Sequence, residues 1–216
     1  MQIKSFKKYF TFWNLLIFLM LLLAFFVRIY RTGDLLGFYY DQGRDAKVIW
    51  DLWHSGKTFL IGPVTGLPGI FLGPFYYYLI APFYFLGNGN PVYPSVFLSF
   101  LVTCGLLVLY KTGQEIGGKK TGFLALLIGS FSGQLFFASR WLSNPTPILF
   151  SSILLFYSLV KIIKQKKVNN WWYLAFLLAG VSFHFESASA AFYFPILFVF
   201  LIWQRKKTNL KTFFIS

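Results

Sequence analysis

The organisation of this chain is decided by one short polar stretch, Gly37-Phe38-Tyr39-Tyr40-Asp41-Gln42-Gly43-Arg44-Asp45-Ala46. It carries two of the six acidic residues, Asp41 and Asp45, with Arg44 between them. Four of the six acidic residues fall between positions 34 and 51, directly after a long apolar run that ends at Val27. This concentration of acids predicts a membrane protein that presents the stretch at one face of the bilayer.

Composition supports a membrane protein. Hydrophobic residues make up 57% of the chain, aromatic residues 23% and charged residues 12%, whereas a soluble domain has about 25% charged residues. The net charge of +14 comes from short clusters at the ends of apolar runs, as in membrane proteins, and not from one basic face, as in nucleic-acid-binding proteins. We therefore predict an all-α, polytopic membrane helical bundle with membrane lipid, and no nucleic acid, as a partner.

The first apolar run, residues 9–27, follows three lysines within residues 4–8. It is too long for the apolar region of a signal peptide, so we predict a first transmembrane helix with a cytoplasmic N-terminus. Arg28 and Arg31 follow this run. Long basic side chains at a helix end commonly extend to the membrane interface, and both arginines are expected to do so.

A short amphipathic helix is predicted from Asp41, which suits an N-cap, to Gly56, a natural stop. Its apolar residues recur at helical spacing and include two tryptophans, so the helix should lie along the membrane surface. Residues 62–74 contain glycine and proline repeatedly and predict a loop. The apolar segment that follows, up to residue 86, is expected to be interfacial or re-entrant.

Five further apolar runs follow residue 91, and we predict that each one crosses the membrane: 92–110, 121–138, 147–163, 171–184 and 188–203. The lysine-rich links between them belong in the cytoplasm. Their alternation, with a cytoplasmic N-terminus, permits one crossing before residue 92. The sequence therefore predicts about six crossings, with residues 28–91 as an outer loop that carries surface or re-entrant helices and includes the segment 70–86.

The other two outer links are Arg140-Trp141-Leu142-Ser143-Asn144-Pro145 and Phe183-His184-Phe185-Glu186. With the long loop, they contain nearly every unusual polar residue of the chain. The sequence contains no phosphate-binding P-loop, dinucleotide-binding glycine pattern or zinc-ligand spacing. Any site is therefore expected on the outer face.

A first helix, an outer loop whose acidic motif opens a surface helix, and a Gly/Pro-rich apolar stretch together resemble the GT-C glycosyltransferases. The resemblance is narrower to the branch of protein O-mannosyltransferases and aminoarabinose transferases. In that branch the loop carries an Asp-Glu pair, often with a basic residue two positions later, and Asp41-Gln42-Gly43-Arg44 stands at that place. Gln42 replaces the usual glutamate, and Asn144 stands where relatives carry an acid. The resemblance covers the N-terminal half of the family, so residues 1–216 are expected to form one membrane module of a longer transferase.

The resemblance implies transfer of a sugar from a polyprenyl-phosphate-linked donor to an acceptor hydroxyl at the outer face of the plasma membrane. Asp41 matches the catalytic aspartate, and a carboxylate suits proton removal from a hydroxyl. Candidate substrate-binding residues are Arg44, Asp45, Arg140, Asn144, His184 and Glu186. Arg44, Arg140 and His184 are expected to meet near the leaving phosphate. No cofactor is expected; a divalent metal is conceivable, but no ligand pattern supports it.

Structural alternatives exist for the same residues. Asp41 suits a helix cap, Arg44 suits lipid headgroups, Asn144 suits a turn, and His184 with Glu186 suits a polar helix end. A non-enzymatic carrier-lipid transporter or scaffold is the alternative function. A transporter is expected to carry polar residues in the middle of its helices, whereas here they collect at one face, which favours a transferase.

Overall fold

The computed structural model describes residues 12–165 and 170–204. It contains ten helices in this part of the chain: α1 Phe12–Ile29, α2 Thr32–Leu35, α3 Tyr40–Ser55, α4 Phe75–Leu86, α5 Val92–Phe131, α6 Gly133–Arg140, α7 Thr146–Lys164, α8 Trp171–Phe183, α9 Ser187–Ala190 and α10 Tyr193–Trp203. Three of them, α1, α5 and α7, are long and apolar enough to span a bilayer. The predicted all-α membrane helical bundle is confirmed. The basic ends predicted within residues 1–11, 166–169 and 205–216 lie outside the described residues.

Helix α5 consists of two arms, 92–116 and 119–131, separated by non-helical backbone at Gly117 and Gly118. The φ of Gly118 is 85°, a conformation that glycine adopts readily. Beyond this turn the arms run back along each other, and a Cβ on Gly113 would lie 2.8 Å from the Cα of Gly122. The turn carries exposed lysines and separates the two runs predicted at 92–110 and 121–138.

Helix α1 packs on both arms of α5 through a buried cluster formed by Ile17, Ala24, Leu106, Tyr110 and Leu126. Arg28 belongs to this interface, with 1% of its surface exposed. It donates to the carbonyl of Ala24 at 2.9 Å and to that of Gly129 at 3.4 Å. The expectation that Arg28 extends to the membrane interface is therefore wrong, because its helical position faces α5 and not lipid. Arg31 is exposed and pairs with Asp34.

A second buried cluster joins helices α7, α8 and α10, with members Leu155, Leu159, Ile162, Trp172, Ala175, Leu178, Ala179 and Leu197. A hydrogen bond of 2.9 Å between the hydroxyls of Ser151 and Ser182 also links α7 to α8. Small and hydroxyl-bearing residues are common where membrane helices pack closely. These contacts hold α7 against α8, whose ends adjoin the predicted site segments at 140–145 and 183–186.

The predicted loop at residues 62–74 is a small hairpin. Backbone hydrogen bonds pair Gly62 with Leu72 and Pro63 with Leu72, at 2.9 Å each, and an isolated antiparallel bridge joins Val64 to Phe71. The hairpin is followed by α4, a helix of 12 residues with a length of about 18 Å. Helices α8 and α10, where crossings are predicted, are similarly short with 13 and 11 residues, so the expectation that the segment does not cross stays a prediction.

Helix α4 is the centre of a third buried cluster. Its members share full burial and come from α3, α4, α5 and the two short outer links: Ile49, Tyr76, Tyr77, Ile80, Ala81, Tyr84, Leu98, Leu142 and Phe185. An aromatic surface segment of this kind is ordinarily placed against lipid. Here it forms the core on which the start of α3 is seated.

Candidate functional site

The acidic stretch opens helix α3, which begins at Tyr40 after an extended residue, Tyr39. The side chain of Gln42 closes this end, since its Oε1 accepts the backbone N–H of Tyr39 at 3.0 Å. Asp41 is therefore not the N-cap, contrary to expectation; it stands in the first turn of the helix. A carboxylate there is stabilised by the positive end of the helix dipole, and its side chain remains free to point outwards.

Arg44 joins the two carboxylates of the stretch. Its Nη1 donates to Asp41 Oδ1 at 2.9 Å, while its Nε and Nη2 donate to Asp45 Oδ1 at 2.9 and 2.7 Å. Charge-assisted bonds of this length are stronger than neutral ones. The side chain of Asp41 is 63% exposed, that of Arg44 21% and that of Asp45 4%. The cluster thus extends from the core to the surface, with Asp41 at its open end.

Tyr77 of α4 completes the buried end of the cluster. Its hydroxyl donates to Asp45 Oδ1 at 3.1 Å. Burial raises the pKa of the Asp45 carboxyl, and the bonds from Arg44 and Tyr77 act in the opposite direction. Burial, followed by the nearby charge of Asp45, raises the pKa of Tyr77 above its usual range. Tyr77 is therefore a neutral donor to Asp45.

Gln42 makes a second contact that the sequence did not indicate. Its Nε2 donates to the carbonyl of Leu142 at 2.9 Å, and the side chain is buried. This bond ties the start of α3 to the link between α6 and α7. A glutamate, expected here from the family resemblance, has no N–H and cannot make this bond when ionised.

Arg140 lies at the other side of that link, against the end of α1. Its Nη1 and Nη2 donate to the carbonyls of Val27 and Tyr30 at 3.2 and 2.9 Å, and its guanidinium lies 5.3 Å from the ring centre of Phe136. The arginine satisfies carbonyls that the helix end leaves without partners. Beside it opens a pocket of about 500 Å³ with largely apolar walls, lined by Leu35, Leu36, Gly37, Tyr39, Phe136, Phe137 and Trp141.

The remaining predicted residues connect the link at 140–145 with that at 183–186. Asn144 Nδ2 donates to the carbonyl of Phe185 at 2.6 Å. Glu186 caps α9, accepting the backbone N–H of Ala188 at 3.2 Å. His184 lies against Gly73, where any Cβ would collide with the imidazole ring, and its Nδ1 is buried without a hydrogen-bond partner in the described part of the chain.

The structure therefore brings the three outer links together at one end of the bundle, through the bonds of Gln42 to Leu142 and of Asn144 to Phe185. Asp41, Arg44 and Asp45 form one cluster. No hydrogen bond among the described residues joins Arg44, Arg140 and His184 to one another, and their shared role at a phosphate stays a prediction. Over residues 12–165 and 170–204, no group of three or more metal-ligating side chains is found.

Sequence reasoning missed Gln42 and Tyr77. In the sequence Gln42 stands out only as a departure from the usual Asp-Glu pair, although its position in the first turn of a helix is one from which an amide can cap the backbone. Tyr77 was one of three consecutive tyrosines, and nothing in that run distinguishes the tyrosine that faces Asp45.

A family model described as dolichyl-phosphate-mannose-protein mannosyltransferase matches residues 72–216. The matched region begins at the end of the small hairpin and includes α4 and all later helices, and hence Tyr77, Arg140, Asn144, His184 and Glu186. The cluster of Asp41, Arg44 and Asp45 precedes it. Among curated proteins and solved structures, none matches the chain.

Proposed function

Because this chain belongs to the dolichyl-phosphate-mannose-protein mannosyltransferase family of membrane glycosyltransferases, we propose that it moves a sugar from a polyprenyl-phosphate-linked donor to an acceptor hydroxyl at the outer face of the plasma membrane. Asp41 is the proposed general base. The observation that carries this assignment is the exposed Asp41 carboxylate, held by Arg44 at the end of the bundle where the three outer links meet.

The chemistry follows from these groups. As the acceptor oxygen attacks the anomeric carbon of the sugar, its proton passes to the Asp41 carboxylate. The bond between that carbon and the phosphate oxygen breaks, and the electron pair leaves with the carrier phosphate. Arg44 holds the carboxylate in place, and the glycosylated acceptor is released while the polyprenyl phosphate stays in the bilayer.

We propose that Arg140 and His184 bind the phosphate of the carrier lipid, with Arg44 as a further cation. The Arg140 guanidinium borders a pocket whose apolar walls suit an isoprenoid chain, and a cation beside it suits a phosphate. Asn144 and Glu186 fix the backbone of the two short links. We place these two residues at the border of the substrate site, where they shape the loops that contact the sugar.

The test is the variant Asp41→Asn, measured by release of polyprenyl phosphate from a short-chain polyprenyl-phosphate mannose in the presence of hydroxyl acceptors. Loss of the base should lower kcat by a factor of about 10² to 10⁴. Asp34→Asn is the matched control, because Asp34 also forms an ion pair of 2.9 Å three residues away and also has a side chain 63% exposed. Equal activity of the two variants would remove Asp41 from the chemistry.

A further inference from the structure

Asp45 is closed off from the surface at which an acceptor arrives, although the sequence predicted it as a substrate contact. Its side chain is 4% exposed. Its Oδ1 accepts from Arg44 Nε, Arg44 Nη2 and the Tyr77 hydroxyl, whereas a carboxylate oxygen offers about two lone pairs. Oδ1 has no capacity left for a sugar or acceptor hydroxyl, and the burial of the side chain restricts access to Oδ2.

Tyr77 anchors the cluster to a different helix. It is buried in α4, and its ring packs at 5.1 Å against Phe59. A neutral hydroxyl fixed in this way holds Asp45 from across the contact between α3 and α4. Asp45 in turn engages two nitrogens of one edge of the Arg44 guanidinium, which leaves Nη1 directed at Asp41. A chain of contacts therefore leads from buried Tyr77 through Asp45 and Arg44 to the exposed carboxylate of Asp41.

We propose that Tyr77 and Asp45 are positioning residues of the transfer reaction, which hold the Arg44 guanidinium so that it orients the Asp41 carboxylate. This inference rests on the proposed function of Asp41 as the base. It changes the role of Asp45 from substrate contact to positioning, and it adds Tyr77, which no motif indicated.

The arrangement also divides the charge of Arg44 between two carboxylates. If Asp45 were neutral, the Arg44 guanidinium would lose the charged partner that fixes two of its nitrogens. Asp45 is thus expected to preserve the orientation of Arg44 and, through it, that of Asp41.

The decisive variant is Tyr77→Phe, which removes only the hydroxyl that contacts Asp45. Tyr76→Phe is its matched control. Tyr76 is adjacent on the same helix, is 0% exposed and has a hydroxyl without a hydrogen-bond partner in the described part of the chain. The two variants therefore remove the same group from equally buried sites, and only one of them breaks the contact.

The measurement is kcat and donor KM for the full chain in liposomes, from pH 5 to 8, with short-chain polyprenyl-phosphate mannose as the probe. Asp45→Asn should lower kcat by about 10- to 100-fold at every pH, the cost of a misplaced catalytic group, and leave KM unchanged. Tyr77→Phe should lower kcat more at low pH than at high pH, since losing one donor raises the pKa of Asp45 further. Tyr76→Phe should follow wild type throughout.

The double variant Tyr77→Phe with Asp45→Asn adds a second check. It should be no less active than Asp45→Asn alone, because the two residues act through one contact; a further loss would overturn the inference. So would a raised KM with unchanged kcat, which indicates that Asp45 contacts substrate. Identical pH profiles of Tyr77→Phe and Tyr76→Phe would overturn this inference but not the proposed function. If the wild type released no polyprenyl phosphate, both the inference and the proposed function would be overturned.

Discussion

The substitution Gln42→Glu isolates the contact that ties the acidic stretch to the next outer link. It restores the acid expected from the family resemblance and changes the shape of the side chain very little. In this structure, however, the side-chain N–H of Gln42 donates to the carbonyl of Leu142 in a buried site. An ionised glutamate would place a carboxylate oxygen against that carbonyl, with neither group able to donate.

The magnitude follows from linkage. Burial and the facing carbonyl raise the folded-state pKa of the introduced carboxyl above its unfolded value of about 4.3. Stability is therefore close to wild type below this value, where the protonated acid can donate to Leu142, and it falls as the pH rises towards the folded-state pKa. A rise of about two units corresponds to a loss of about 2.7 kcal/mol above the folded-state pKa. For a chain of this size, this is a decrease in Tm of roughly 5–10 °C.

The assay is thermal unfolding in detergent, followed by tryptophan fluorescence from pH 4.5 to 8. Gln134→Glu is the matched control, because Gln134 lies on the exposed side of the first turn of α6. We expect the difference in Tm between Gln42→Glu and wild type to grow with pH, and that of the control to stay within about 1 °C, as for most surface substitutions. A pH-independent difference for Gln42→Glu would refute the assignment of the donor to its amide.

Two further predictions concern topology and the buried arginine. In a Cys104→Ser background, cysteines at Ser55 and Asn88 should both react with an impermeant thiol reagent from outside, because the lysine-rich links permit one crossing before residue 92. Labelling of position 88 only after permeabilisation would make α4 a crossing helix. Arg28→Met should keep or raise Tm, since a well-packed apolar side chain commonly replaces a buried charge without loss of stability. Arg31→Met, at an exposed position, is the control and should change Tm little. A clear decrease in Tm for Arg28→Met would show that the bundle needs the guanidinium.

The membrane bundle was predictable because it depends on local features of the sequence, namely long apolar runs and the breaks between them. Long apolar runs must form helices in lipid, and glycine breaks separate them, as at Gly117 and Gly118. The amphipathic spacing after Asp41 likewise predicted α3. Arg28 was mispredicted because its burial depends on which face of α1 meets α5, and a sequence that is apolar on all sides gives no sign of that face.

The candidate site was predictable only in part. Asp41 and Arg44 lie three residues apart on one helix, so their contact follows from helical geometry. The contact of Arg44 with the adjacent Asp45 does not, because neighbouring residues face different directions on a helix. The partners supplied from far along the chain, Tyr77 and Leu142, depend on packing between helices and have no local signal. Sequence therefore located the acidic stretch, but it did not separate the buried carboxylate from the exposed one.

Gln42 and Asn144 are amides at positions where the family resemblance predicts an acid, and both make the same kind of contact. Gln42 donates to the carbonyl of Leu142, and Asn144 donates to that of Phe185. Each amide therefore joins its own outer link to the next one, a contact for which an ionised acid has no donor. Neutral groups thus hold the three links together, and the negative charge of the acidic stretch is carried by Asp41 and Asp45. Both of these share Arg44, which makes the charge balance around Asp41 depend on three residues within a single turn of α3.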